Sequence, residues 1–405
     1  MAQRQLPKWS ELRPLLRVEA PVLDPVERRL SRAHTIADLR AIARRRTPRA
    51  VFDYTDGAAD AETSLNRARQ AFRRVEFHPH VLKDVSKVDM SRDMFGKRAS
   101  LPFAFAPTGF TRMMQHEGER AVVRVAERAG IPFGLSTMGT TSVEDVAAAG
   151  PQARKWFQLY VWKDRGAGEE LVRRARESGF EALILTVDTP VAGARMRDVR
   201  NGLTIPPSLR LRTILDGATH PAWWFNLFTT EPLQFASLSH WEGTVADLIN
   251  KMFDPTVTIS DLEWLRGLWP GPLIIKGIQS AADARLVVDH GADAVIISNH
   301  GGRQLDRAPI PLELLPAVAD AVAGDAEVYL DTGIMSGADI VAALARGARG
   351  CLVGRAYLYG LMAGGERGVE RAVAILRSEI SRTLQLLGVP STDDLTADHA
   401  TLRPS

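Results

Sequence analysis

The sequence predicts an α/β fold: a (β/α)8 TIM barrel with an N-terminal helical extension and a long insertion after the fourth strand. Three observations carry this. Eight short apolar runs recur from about residue 100 onward, each closing on a polar residue or a glycine. The runs are continuous rather than alternating, the pattern of strands buried on both faces, and helical stretches between them require parallel order. The G-x-G-x-x-G turn that follows the first strand of many open doubly wound sheets is absent.

Residues 1 to about 33 mix prolines and arginines with little periodicity and read as an irregular arm. Thr35 and Asp38 then form a helix-start signature, and Ile36, Leu39, Ile42 and Ala43 recur at helical spacing up to Pro48. The stretch AVFDYTDGAADAE, residues 50–62, sets Tyr54 among acidic and small residues. The eight runs follow: FAFAPT (103–108), FGLST (133–137), KWFQLY (155–160), LILTVD (183–188), LIIKG (273–277), AVIISN (294–299), EVYLDTG (327–333) and GCLVGR (350–355). Similar helix ends precede several of them: AERAG, RESGF, VDHGAD and ALARGARG.

The connection from Asp188 to Leu273 is long, holding HPAWWFNLF (220–228), several prolines and a helical stretch near Val245 to Phe253. Loops of this length serve as lids or binding surfaces. Its Trp223, Trp224, Phe225 and Phe228 suit either a membrane interface or packing against the barrel or a neighbouring subunit. The cost of exposing clustered aromatics favours packing. The expected organisation is one domain over 1–405: an extension (1–95), a barrel (96–375) with its insertion at about 203–262, and a C-terminal tail (376–405).

Composition narrows the function. The 51 basic and 48 acidic residues leave +3, and no basic stripe interleaved with aromatics appears, so nucleic acid is not an expected partner. The single cysteine, Cys351, excludes an internal disulfide and a cysteine-rich metal site; it lies inside the eighth run and reads as core. The histidines show no metal spacing, so no metal is expected. Nowhere do about 18 apolar residues run together. A cytoplasmic protein is expected, with at most peripheral contact at the inner face of the cell membrane.

In a barrel, the C-terminal ends of the strands face one mouth. Here they carry Thr108, Ser136, Gln158 with Tyr160, Thr186 with Asp188, Lys276, Ser298 with His300, Asp331, and Gly354 with Arg355. Hydroxyls and an amide suit the edge of a flat heteroaromatic ligand. The lysine suits a cofactor that becomes anionic, and the glycines of the last two runs suit a phosphate. FMN fits this set. In IISNHGGRQLD, residues 296–306, His300 is a candidate base with Asp188 as its partner, and Arg303 a candidate carboxylate clamp. A second arginine comes from GARMRDVRN, where Arg195, Arg197 and Arg200 compete. Tyr160 supplies a phenol, and the residues alone leave Tyr54 open. A base, two arginines, phenols and a flavin describe oxidation of a small 2-hydroxy acid.

The segments DYTDGAAD, APTG, EGE, QLYVW, TVDTPVAGAR, IIKGI, SNHGGRQLD, DTGI and VGRAYLYGL, spread over residues 35 to about 390, resemble the FMN-dependent L-2-hydroxy acid dehydrogenase and oxidase family. The resemblance implies that His300 is the base, that Arg195 and Arg303 hold the substrate carboxylate, and that Tyr54 and Tyr160 contact substrate. It places Pro107, Thr108, Gly109, Ser136, Gln158, Thr186, Lys276, Ser298, Asp331, Thr332, Gly333, Ile334, Met335, Gly354 and Arg355 around FMN. Many members carry arginine where Met335 stands, so phosphate binding here is expected to rest on backbone amides and Arg355. HPAWWF and GRAYLYGL look most like bacterial respiratory L-lactate dehydrogenases, which pass electrons to quinone; the rival within the family uses O2. The proton reaches His300 either from the α-carbon or from the hydroxyl as hydride leaves. The family tends to homotetramers.

Overall fold

The computed structural model describes residues 6–15, 22–202, 216, 218–233 and 253–404. All eight apolar runs are strands: β1 (Phe103–Thr108), β2 (Phe133–Ser136), β3 (Lys155–Leu159), β4 (Ala182–Thr186), β5 (Leu273–Ile278), β6 (Ala294–Ile297), β7 (Glu327–Leu330) and β8 (Gly350–Val353). They pair in parallel in chain order, and β8 returns to β1 through Cys351 opposite Phe103, closing the barrel.

Strand side chains alternate between the two faces of a sheet, so each strand feeds two cores. The inward set forms one buried cluster that includes Ala106, Trp156, Ile184, Ile274, Ile296, Tyr329 and Leu352. The hairpin of Arg92–Met94 and Lys97–Ala99 belongs to the same cluster through Met94 and Ala99, and its Phe95 ring packs on Trp156 and Tyr329. The outward set, with Phe105, Leu135, Phe157, Leu185, Ile275 and Ile297, packs under the surrounding helices.

The extension covers the barrel mouth. Helix Ile36–Arg46 starts at the expected Thr35–Asp38 capping box and lays Ile36, Leu39, Ile42 and Ala43 against the long helix Arg355–Leu387. Helices Arg49–Asp56 and Thr63–Arg73 then bring Tyr54 and Arg69 to the site. The C-terminal strand Ala400–Leu402 pairs with Val75–Phe77, joining tail to extension. The helical stretch Arg355–Leu387, kinked by non-helical backbone at Gly364 and Gly365, runs past residue 376, where the tail was expected to begin, because its apolar face continues through Ile380 and Leu384 to Leu387.

In the insertion, Pro221–Thr229 is a helix. The helical stretch expected near Val245 to Phe253 lies, except for Phe253, outside the described residues. The aromatic patch divides. Trp223 donates its Nε1–H to Met113 O (3.0 Å) and Trp224 stacks on Phe228, while Phe225 and Phe228 stay 68% and 72% exposed. Among the described residues no helix is long and apolar enough to cross a membrane.

Candidate active site

Two residues beyond each inward apolar side chain, the same strand face meets the mouth. That spacing converts Ala106 into Thr108, Trp156 into Gln158, Ile184 into Thr186, Ile274 into Lys276, Ile296 into Ser298, Tyr329 into Asp331 and Leu352 into Gly354. Several of these groups are bonded to one another or to neighbours on the same layer. Lys276 Nζ donates to Ser298 Oγ (3.1 Å) and lies 3.0 Å from Asp331 Oδ2; Ser136 Oγ donates to Gln158 Oε1 (2.7 Å). Burial alone would push the Lys276 ammonium down, but Asp331 and Asp188 more than offset this and raise it, so the charge is held.

Above this layer stands a cavity of about 540 Å³, inside the ~300–1,000 Å³ range of small-molecule sites. Its lining includes Tyr54, Pro107, Thr108, Gly109, Ser136, Tyr160, Arg195, Lys276, His300, Arg303, the loop from Asp331 to Met335, Gly354 and Arg355. Gln158, Ser298, Thr186 and Asp188 are not in its wall. The first two bond to Ser136 and Lys276, while Thr186 and Asp188 line an adjoining cavity that shares Tyr160.

His300, Gly301 and Gly302 have φ of 58°, 66° and 76°, three successive left-handed residues. Contact reinforces this: a Cβ at Gly302 would lie 2.8 Å from the Leu65 backbone nitrogen, and one at Gly301 2.6 Å from Arg355 Nη1, displacing that side chain. Asn299 braces the turn, accepting from Gly302 N (3.0 Å) and donating to Pro309 O (3.1 Å). The turn carries His300 into the cavity with Nδ1 3.0 Å from Asp188 Oδ1. A carboxylate only accepts, so Nδ1 bears the proton and Nε2 is the acceptor nitrogen. Burial lowers the His300 pKa, opposed by Asp188, leaving the imidazole neutral at neutral pH. Burial raises the Asp188 carboxyl, but His300 and Lys276 outweigh it and hold Asp188 ionised. Asp188 reaches this position because residue 277 is glycine: with φ 104°, a Cβ there would stand 2.7 Å from the Asp188 Cβ.

Of the three competing arginines, Arg197 is bonded to Asp56 (3.0 Å) and Glu62, and Arg200 is exposed. Arg195 lines the cavity; its Nε is buried without a partner, and the nearest carboxylate, Asp198, is 4.0 Å away. Its guanidinium and that of Arg303 lie 5.8 and 4.8 Å from the Tyr54 ring centre. Arg303 Nη1 donates to Tyr54 O (2.5 Å) and Gly57 O (3.3 Å), and burial together with the Arg195 charge pushes its pKa down to about 10. Two neighbouring cations that hydrogen-bond no carboxylate make a site for an anion with two acceptor oxygens.

Arg355, expected near the FMN phosphate, has a structural role as well. Its Nε, Nη1 and Nη2 donate to Thr55 O (2.9 Å), Gly301 O (3.0 Å) and Gly57 O (2.7 Å), tying the extension to the His300 turn. Further wall residues carry no signal in the sequence: Arg69, Phe110, Asp198 and Phe253 sit in segments whose packing on the mouth is set by tertiary structure.

The cavity suits FMN. Five cationic side chains (Arg69, Arg195, Lys276, Arg303, Arg355) and two carboxylates (Asp198, Asp331) line it, so it favours an anionic occupant. Gln158 Nε2 and Thr186 Oγ1 are buried without partners. At Gly354 an added Cβ would meet only Ala106 Cβ, at 3.7 Å, and the helix N-terminus that follows favours phosphate.

Comparison with known proteins agrees. The family described as FMN-dependent dehydrogenase matches residues 43–402. A Mycobacterium tuberculosis protein provisionally named L-lactate dehydrogenase is 57% identical over 98% of this chain and 96% of its own length. The L-lactate dehydrogenase of Ectopseudomonas mendocina is 41% identical over 89% of this chain and 97% of its own. Among solved structures, the monotopic membrane protein (S)-mandelate dehydrogenase superposes with a TM-score of 0.89 at 38% identity, over 92% of this chain and 100% of that one. The chain therefore belongs to the FMN-dependent dehydrogenase family, as an enzyme that oxidises 2-hydroxy acids with FMN as its cofactor.

Proposed function

We propose that the protein oxidises L-lactate to its 2-oxo acid and passes the electrons to quinone or another respiratory acceptor. The observation that carries the reading is His300, backed by Asp188, in the same cavity as Arg195 and Arg303, two guanidiniums hydrogen-bonded to no carboxylate. Arg195 and Arg303 bind the substrate carboxylate, and the phenols of Tyr54 and Tyr160 contact the substrate beside them. His300 Nε2 takes one proton from the H–C–O–H unit, and Asp188 stabilises the imidazolium that results. FMN, when bound, would supply the acceptor for the two electrons and for the second hydrogen of that unit. Lys276, kept charged by Asp331, stabilises the negative charge that arrives, preorganised electrostatics of a kind worth several kcal/mol. Ser136 supplies a polar group in the cavity wall, with Gln158 and Ser298 bonded to Ser136 and Lys276 and Thr186 in the adjoining cavity, and the loop from Asp331 to Met335, with Gly354, serves the phosphate.

The pH dependence follows from the direction of the His300 shift. Only the neutral imidazole accepts a proton, and burial lowers its pKa from the ordinary 6.5. The acid limb of kcat/KM should therefore lie below pH 6.5. A limb above that value would mean another group is the base.

L-lactate as substrate is supported by the names of the sequence relatives, while the structural relative's name makes (S)-mandelate the comparison to run. Anaerobic mixing with L-lactate, glycolate and (S)-mandelate, followed by reoxidation with a quinone analogue or air, tests substrate and acceptor together. Faster reduction by mandelate would overturn the substrate; faster reoxidation by air would overturn the acceptor.

The exposed Phe225 and Phe228 on helix Pro221–Thr229 support peripheral membrane contact. Replacing both with serine should lower the fraction that co-sediments with anionic lipid vesicles. An unchanged fraction would remove this face from the proposal.

A further inference from the structure

Helix Thr63–Arg73 packs directly on the loop from Asp331 to Met335. A Cβ added to Gly333 would lie 3.0 Å from the Phe72 ring and 3.1 Å from Ala68 O. Arg69 sits between those two contacts in sequence and lines the cavity. Its Nη2 is buried without a hydrogen-bond partner, and among the described residues Arg69 makes no ion pair. It is close enough to Arg355 for the two charges to repel. The carboxylates that act on Arg355, Asp56 and Glu62, are held by other groups: Asp56 accepts from Arg40 (2.6 and 2.8 Å) and Arg197 (3.0 Å), and Glu62 from Arg197.

Other phosphate donors at this end are partly engaged. The Met335 amide donates to Asp339 Oδ2 (2.8 Å) and the Asp331 amide to Ile297 O (3.1 Å), so neither end of that loop offers a free N–H. Met335 supplies no charge, and each guanidinium nitrogen of Arg355 is already bonded to a backbone carbonyl. Arg69 is half-buried, but a guanidinium whose Nη2 is shut off from water with neither partner nor counter-ion is unfavourable until an anion arrives, and an oxyanion with several acceptor oxygens suits its geometry.

We propose that Arg69 is a cofactor-binding residue, donating from helix Thr63–Arg73 to the FMN phosphate and supplying charge that Met335 does not. This rests on FMN occupying the cavity with its phosphate toward the loop from Asp331 to Met335. The test is titration of the full-length protein, freed of flavin, with FMN and with riboflavin, which lacks the phosphate, followed by flavin fluorescence. Arg69→Met should weaken FMN binding about 10- to 100-fold, the scale of one charge-assisted hydrogen bond, and leave riboflavin binding unchanged. Arg69→Lys should recover part of the loss. Unchanged FMN affinity in Arg69→Met overturns the proposal, and so does equal weakening of both flavins, which would mark a packing role. Wild-type protein that does not distinguish FMN from riboflavin would instead refute the phosphate placement beneath it.

Discussion

Replacing His300 with alanine should leave FMN bound and slow flavin reduction by L-lactate by about 100- to 10,000-fold, the range of general acid–base catalysis. Retention of FMN follows from the contacts. The imidazole's side-chain partner is Asp188, whereas the groups placed around the flavin bond to each other through Lys276, Ser298, Asp331, Ser136 and Gln158. The turn should persist, because alanine at φ 58° replaces another side chain already held there, and Asn299 and the two glycines still fix it. Anaerobic stopped-flow absorbance reads the rate, and the bound flavin spectrum reads occupancy. Rapid reduction in this variant would remove His300 from the role of base.

Arg303→Lys should lower kcat/KM by about 10- to 100-fold, mainly through a higher KM. Lysine keeps the charge but loses the fork that meets both oxygens of a carboxylate. It also loses the Arg303 Nη1 bonds to Tyr54 O and Gly57 O, freeing the segment that carries the Tyr54 phenol. The concentration dependence of flavin reduction checks this, with FMN content and melting temperature separating a binding defect from a folding one. An unchanged dependence on L-lactate would exclude Arg303 from the clamp.

The barrel was legible because strands buried on both faces need uninterrupted apolar residues, and all eight such runs became strands. The polar layer was legible for a related reason: the residue that ends each run stays on the inward face and meets the mouth. What decides whether such a residue reaches the cavity is a matter of ångströms. Thr186 and Asp188 came from the same run and line an adjoining cavity, while Gln158 stands behind Ser136. Arg195 could not be chosen over Arg197 from spacing, since the difference is that Asp56 and Glu62 from the extension claim Arg197. Asp306 was visible only as the end of a motif. In the fold it accepts from Thr63 N (3.2 Å) and Ser64 N (2.8 Å), anchoring the helix that carries Arg69. Such pairings join segments far apart in sequence, where local periodicity is silent.

The central claim is that the Arg195–Arg303 pair and the His300–Asp188 pair act together on an L-2-hydroxy acid over FMN. Anaerobic titration of the FMN-loaded protein with L-lactate and D-lactate tests it most directly. The account predicts full bleaching of the flavin absorbance by one equivalent of L-lactate per flavin, with D-lactate inert. A flavin that stays oxidised with L-lactate, glycolate and (S)-mandelate alike would contradict it.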